Sequence, residues 1–296
     1  MDRKVSISAV QIGPMSEDKQ KNVEEILRLA DEAIKENPDF VVFPEVCTTP
    51  YFTVCQERKF FDWAEPIPGP TTELLAEKAK KGNCHIVASI FEKGAVEGEY
   101  YCSAFIIGPD GKLVSGRFPD GSMLYCYRKN YLGDFPALPL NDEYYWRRGP
   151  GYNVFATDKG KAGILICYDR WIPEGWRVLT LLGAEIIFVP TASSMFVRDA
   201  YTRTSMTWAQ QFQVFVVSAN RGGIETVEKQ DTPYFGLSCI VGPYGNLLVQ
   251  AGEARGPEII TASIDLDDVR AARRDFGMYN DRRPELYSIL SRTIYP

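Results

Sequence analysis

The sequence predicts a mixed-sheet α/β fold, with strands divided between two sheets and helices on the outside. Three observations predict it. Short apolar runs alternate with amphipathic helical stretches. Asp110-Gly111 and the Pro-Tyr-Gly-Asn segment at 243–246 mark tight turns, so some neighbouring strands run antiparallel. The second half of the chain repeats the strand-and-helix logic of the first, and two sheets would account for the number of strands.

Val5 to Val10 (VSISAV) alternates apolar and polar residues, as a half-buried strand does. Residues 16–36 form a helical pattern: Ser16 suits the N-cap, and Val23, Ile26, Leu27, Ala30, Ala33 and Ile34 share one stripe. Asn37-Pro38 stops it, because the residue before proline avoids the helical region. Phe40 to Phe43 is a short apolar strand that ends at Pro44-Glu45. A helix is predicted from Thr71 or Thr72 to Gly82, then strands at 85–91 and 101–107, with 112–117 pairing back through the Asp-Gly turn. Residues 118–151 are rich in proline and aromatics, too apolar for a flexible linker, and read as functional loops on a scaffold. Strands are expected at 162–166, 185–189, 214–218, 238–241, 247–250 and 258–264. Helices are expected at 173–182, at 199–212 and from about Asp265.

Composition bounds the function. The 296 residues, 45% hydrophobic and 24% charged, suit one globular domain over 1–296. A net charge of −6 gives no support to a nucleic-acid or membrane-surface role. The start, MDRKVSISAVQ, lacks the apolar core of a secretory signal, and no apolar run approaches the roughly 18 residues of a membrane span. There is one histidine, His85, inside an apolar run, where packing beside a strand is the plain reading. Seven scattered cysteines show no zinc spacing. They point to reduced thiols and a cytoplasmic setting. The chemistry therefore falls to cysteine, lysine or carboxylates, with no metal or organic cofactor expected.

Four residues stand out. Cys167, in GILICYDRWIPE, lies where a strand ends and a helix is about to begin; the helix N-terminus would favour thiolate. The N–H of Tyr168 would face an oxyanion formed there. Glu45 ends the strand FVVFPE, where burial would make it a usable base. Lys129, in YCYRKNYLGDFP, enters the long loop, and Glu143, in LPLNDEYYW, is an acid among apolar residues. Each has a plain alternative: a buried structural cysteine, solvated carboxylates, a solvated lysine.

Together and in this order, these residues resemble the nitrilase or carbon–nitrogen hydrolase superfamily, over nearly the whole chain from AVQ to RRPELY. The resemblance implies a four-layer α-β-β-α sandwich and a Glu-Lys-Cys triad of Glu45, Lys129 and Cys167, with Glu143 as a second glutamate that holds the lysine and substrate. Asp169, Arg170, Pro173, Glu174 and Trp176-Arg177 look most like N-carbamoyl-amino-acid amidohydrolases. The implied reaction is cofactor-independent hydrolysis of a non-peptide C–N bond through a cysteine thioester, releasing ammonia. The residues expected to bind substrate are Arg170, Tyr168, Ser193, Tyr51, Tyr131 and Trp171.

Departures from the D-carbamoylase pattern accompany the match. Arg170 is followed by Trp171 rather than a second arginine. Tyr131 and Asn141 stand where that pattern has histidines, and Ala192-Ser193 where it has Asn-Thr. Trp171 resembles amidases of carbamoylated polyamines. Three rivals stay open: a nitrilase, which usually has Trp-Glu-Asn after its cysteine; a broad aliphatic or aromatic amidase; and a non-catalytic binding protein. The resemblance also implies a homodimer or larger homo-oligomer. The aromatic-rich segment 276–296 comes after the last predicted helix and is expected to pack on a partner subunit.

Overall fold

The computed structural model describes residues 3–135, 140–253 and 256–292. Two sheets lie face to face. The first has the strand order Glu258–Asp265, Lys4–Gln11, Phe40–Val42, His85–Lys93, Tyr100–Ile107, Tyr127–Arg128. Its middle three strands are parallel. The second runs Leu247–Gln250, Cys239–Val241, Phe215–Ala219, Ile186–Pro190, Gly160–Ile164, Val154–Thr157, Gly116–Arg117, Met123–Leu124. Its centre, Gly160–Ile164, Ile186–Pro190 and Phe215–Ala219, is also parallel. The helices Lys19–Ile34 and Pro70–Gly82 cover the first sheet, and Pro173–Leu181 and Arg198–Phe212 cover the second, which completes a four-layer α-β-β-α sandwich. The inner faces meet directly, with the Phe40 and Phe188 rings 5.2 Å apart. The strand cores are apolar on both faces because each face is covered.

Local chemistry accounts for several boundaries. The first helix starts later than predicted: Asp18, not Ser16, is its N-cap and accepts the Lys21 N–H, while Ser16 Oγ accepts the Asp18 N–H. At the second helix Thr72 Oγ1 reaches back to the Gly69 N–H at 2.7 Å. Gly183 terminates the 173–181 helix with φ +96°, which glycine adopts without strain. His85 is buried, stacked on Phe40 at 4.6 Å and 3.1 Å from Asp158. Burial lowers its pKa against the pull of Asp158, in keeping with a packed histidine.

Two expectations are corrected. After the Asp110-Gly111 turn the chain pairs back through Lys112, Leu113 and Val114. Gly116–Arg117 then crosses to the second sheet. The antiparallel hairpin Gly222–Val227 with Gln230–Phe235 was not predicted. Paired glycines and Pro233 interrupt its alternation, so it carries little strand signal. Beyond the helix Asp267–Phe276, Tyr279 Oη donates to the Phe212 carbonyl at 2.9 Å. Leu286, Ile289 and Leu290 are left 62%, 57% and 68% exposed. Residues 293–296 of the expected partner-contacting tail lie outside the described residues. Among the described residues no helix is long and apolar enough to cross a membrane.

Candidate active site

The carboxyl ends of parallel strands from both sheets converge, the position where open α/β sheets place ligands. Glu45 lies just past Phe40–Val42, Cys167 past Gly160–Ile164, Ala192 past Ile186–Pro190 and Asn220 past Phe215–Ala219. Lys129 enters from the first sheet, just past Tyr127–Arg128. The structure brings Glu45, Lys129 and Cys167 together. Lys129 Nζ donates to Glu45 Oε1 at 2.8 Å, and both side chains are buried. Glu45 Oε2 accepts the Ala192 N–H at 3.0 Å, and the Cys102 thiol contacts Oε1 at 3.6 Å. The fields of Glu45 and Lys129 both act on the Cys167 sulfur.

The acid on the other side of Lys129 is not the one expected. Asp142 Oδ2 takes the second ammonium contact, at 2.8 Å. Asp142 also accepts from Tyr51 Oη (3.0 Å), Thr53 Oγ1 (2.9 Å) and the Gly133 N–H (2.9 Å). Glu143 points outward and pairs with Arg148 at the surface. The reason is helical phase. Asp142 opens the one-turn helix Asp142–Tyr145, and successive side chains there turn by about 100°. Asp142, Tyr145 and Trp146 therefore face inward, while Glu143 and Tyr144 face solvent. Burial opposes the charge on Lys129, but Asp142 and Glu45 outweigh it and hold the ammonium well above its ordinary pKa. Trp146 adds its ring face, 5.0 Å from Nζ.

Cys167 sits on a strained turn with φ 46°, in the left-handed region that non-glycine residues seldom occupy. It opens a five-residue 3-10 turn, Cys167–Trp171, and the α-helix begins only at Pro173. The expected helix N-terminus is thus too far along the chain to hold a thiolate. Burial, then the Glu45 charge, push the thiol up to about 12. Both causes favour the neutral thiol.

Asp169 ties the cysteine turn to the lysine turn. Its Oδ1 accepts the N–H groups of Tyr131 (2.8 Å) and Asn130 (3.2 Å), and its Oδ2 accepts Tyr127 Oη (2.7 Å) and the Ile166 N–H (3.2 Å). Burial raises its pKa to about 7, against those donors. On the Glu45 side, Arg221 Nη2 donates to the Glu45 carbonyl at 2.6 Å, and Nη1 pairs with Glu225 Oε1 at 2.5 Å. Sequence reasoning missed Asp142, Arg221 and Glu225. The only signal for Arg221 was its place two residues past a buried strand end.

A cavity opens over the Cys167 sulfur. Its wall includes Lys129 and Asp142, the candidate substrate residues Tyr51, Tyr168, Trp171 and Ser193, and apolar Phe135, Leu140, Phe196 and Val197. Ser193 Oγ is buried and has no hydrogen-bond partner among the described residues. Tyr131 is not in this wall; its backbone is turned into Asp169 instead. Arg170 also lies outside the wall, 1% exposed, its guanidinium 4.4 Å from the Tyr201 ring and 5.0 Å from that of Trp171. Among the described residues none of its three nitrogens has a hydrogen-bond partner, so it pairs with neither Asp169 nor Glu174.

Comparison with known proteins identifies the family. The family model for carbon-nitrogen hydrolases matches residues 6–274. The chain is 32% identical to the N-carbamoylputrescine amidase of Solanum lycopersicum, over 98% of this chain and 95% of that one. It is 29% identical to the citrullinase of Francisella tularensis, over 97% and 98%. A crystal structure of a carbon-nitrogen hydrolase from Helicobacter pylori G27 superposes with a TM-score of 0.87 at 26% identity, covering 99% of both chains. With this fold, and a match across most of its length, the chain belongs to the carbon-nitrogen hydrolase family of the nitrilase superfamily.

Proposed function

We propose that the chain hydrolyses an amide or carbamoyl C–N bond through a thioester on Cys167. The observation that carries the reading is the buried Lys129–Glu45 pair, 2.8 Å apart, at the cavity that Lys129 and Cys167 both line. Because the thiol is protonated at rest, attack needs a base. Glu45 takes the sulfur proton as Sγ attacks the carbonyl carbon. The Lys129 ammonium and the Tyr168 N–H stabilise the oxyanion. Glu45 then returns the proton to departing ammonia, leaving the acyl or carbamoyl thioester. Water, deprotonated by Glu45, cleaves the thioester and restores the thiol. Asp142 and Tyr51 hold the ammonium throughout. The scheme uses no metal or organic cofactor.

The substrate we favour is an N-carbamoyl amino acid. Arg170 bears on this: it lies behind the cavity wall, but its buried guanidinium, without a hydrogen-bond partner among the described residues, has the fork that suits the two oxygens of a carboxylate. A carbamoylated amine is the second reading, because amidases of that type are among the relatives. Against it, the one carboxylate among the described wall residues is Asp142, already holding four donors. The apolar part of the wall suits the rest of a small organic substrate. Seven unpaired cysteines support a reducing, cytoplasmic setting. The exposed apolar residues of 286–290 support packing on a second subunit.

The test is an ammonia-release screen of carbamoyl amino acids, carbamoyl amines, simple amides and nitriles, run beside Cys167→Ala. Turnover of a carbamoyl or amide substrate that the variant abolishes is expected. Turnover that survives in Cys167→Ala would end the mechanism.

A further inference from the structure

Arg221 and Glu225 form an ion pair buried behind the site, and the proposed reaction gives neither of them a chemical step. Their contacts converge on one segment. Arg221 Nη2 donates to the carbonyls of Glu45 (2.6 Å) and Val46 (3.3 Å), and Nη1 donates to that of Thr49 (3.3 Å). Glu225 Oε2 accepts the Tyr51 N–H at 2.9 Å, and Oε1 accepts the Met15 N–H at 3.1 Å. The two ends of the segment 45–51 carry the carboxylate against Lys129 and the hydroxyl against Asp142. Between them Val46 has φ 39°, a strained conformation for a β-branched residue. Such strain persists only where the surroundings impose it, and it concentrates at functional sites.

The ionic attraction alone does not account for this pair. A buried ion pair can often be replaced by apolar residues of similar volume without loss, whereas removing one partner strands a charge. Carbonyl oxygens at 45, 46 and 49 need donors, however, and the five-donor fork of one arginine reaches all three. We infer that Arg221 and Glu225 are positioning residues for catalysis. Together they hold the strained segment 45–51 so that Glu45 and Tyr51 engage Lys129 and Asp142 at the same time. The inference rests on the reading of Glu45 as the base. Arg221 fixes that base through its main chain and touches neither substrate nor the reacting sulfur.

The experiment compares Arg221→Met/Glu225→Leu, Arg221→Lys and Glu45→Gln with the unaltered protein. It measures kcat, KM, Tm and the rate of Cys167 alkylation by iodoacetamide between pH 6 and 9. The double variant leaves no lone charge but strands the three carbonyls and the two N–H groups, so its Tm falls, and kcat is taken per folded molecule below that Tm. Its kcat falls about 100-fold, the cost of a displacement near 1 Å in a catalytic group. KM changes little, and alkylation near neutral pH slows, because Glu45 no longer meets the thiol. Arg221→Lys keeps a cation for Glu225 but not the fork, and recovers part of the loss. Unaltered kcat in the double variant overturns the inference, as does a loss explained entirely by a smaller folded fraction. If the double variant fails to fold, Arg221→Lys decides: full kcat overturns the proposal, and reduced kcat with an unchanged Tm supports it. An active Glu45→Gln would instead remove the base reading on which the proposal stands.

Discussion

Lys129 Nζ donates to Asp142 Oδ2 at 2.8 Å, on top of its contact with Glu45, so one buried ammonium is shared by two buried carboxylates. Breaking such a contact should be costly, because a buried charge that loses a partner is not compensated by solvent. Asp142→Asn should lower kcat by roughly 100-fold or more. Glu143→Gln, at an exposed surface pair, should change stability by no more than about 0.5 kcal/mol and leave kcat near normal. Steady-state kinetics of the two variants side by side check this. The reverse pattern would return the role to Glu143.

Cys167 should carry the covalent intermediate. Cys167→Ser and Cys167→Ala should fold normally and release no ammonia, since neither supplies the thiol nucleophile. Intact-mass and peptide analysis of the unaltered protein, quenched during turnover, should find the adduct on the Cys167 peptide. An adduct on Cys102, buried beside Glu45, would reassign the nucleophile.

Asp169 predicts a pH dependence of stability. Its folded pKa is raised to about 7 from 3.8, so the folded state holds a proton that the unfolded chain has released. The associated stability is full below about 4, is lost as pH rises towards 7, and is constant above. Asp169→Asn removes this titration. The Tm of the unaltered protein relative to that of the variant should therefore fall between pH 4 and 7 and then level off. A difference that rises over this range would contradict the assignment.

Arg170 should discriminate substrates by charge. Arg170→Met removes a buried cation that has no hydrogen-bond partner among the described residues, so stability should hold or increase. Loss of a charge-assisted two-bond contact should cost about 2–4 kcal/mol, roughly 30- to 1,000-fold in kcat/KM, for a carboxylate substrate. A matched substrate with a neutral group in place of the carboxylate should lose little. Equal losses on both would make Arg170 a support for Trp171 and Tyr201.

The tail should be an assembly element. Light scattering at micromolar concentration should give at least twice the 33.4 kDa of one chain. Truncation after Gly277 should reduce the mass, because it removes Leu286, Ile289 and Leu290. A mass near one chain for the full-length protein would refute the partner contact.

Much of the candidate site was legible because three of its residues are fixed to strand ends by local sequence. Glu45 closes an apolar run at Pro44, Cys167 closes GILI, and Lys129 comes after an aromatic strand pair. Strand ends are local properties, set by where apolar periodicity stops, and the sandwich then brings the ends together. The layer architecture was legible for the same reason. Most predicted strands and helices lie within a few residues of the observed ones.

Other features depend on contacts between residues distant in sequence. Which of Asp142 and Glu143 faces Lys129 is decided by the phase of a single helical turn, anchored by Tyr51 and Thr53 about 90 residues earlier. The protonation of Cys167 is set by burial and by a carboxylate from the other sheet, and these outweigh any dipole at the turn. Arg221 and Glu225 act on Glu45 and Tyr51 across more than 170 positions. The sequence by itself determined the strand ends and the residue types placed there. Only the tertiary structure decided which acid holds the lysine, whether the thiol is charged, and what braces the base, because each depends on desolvation and distance between segments that meet only when the two sheets pack.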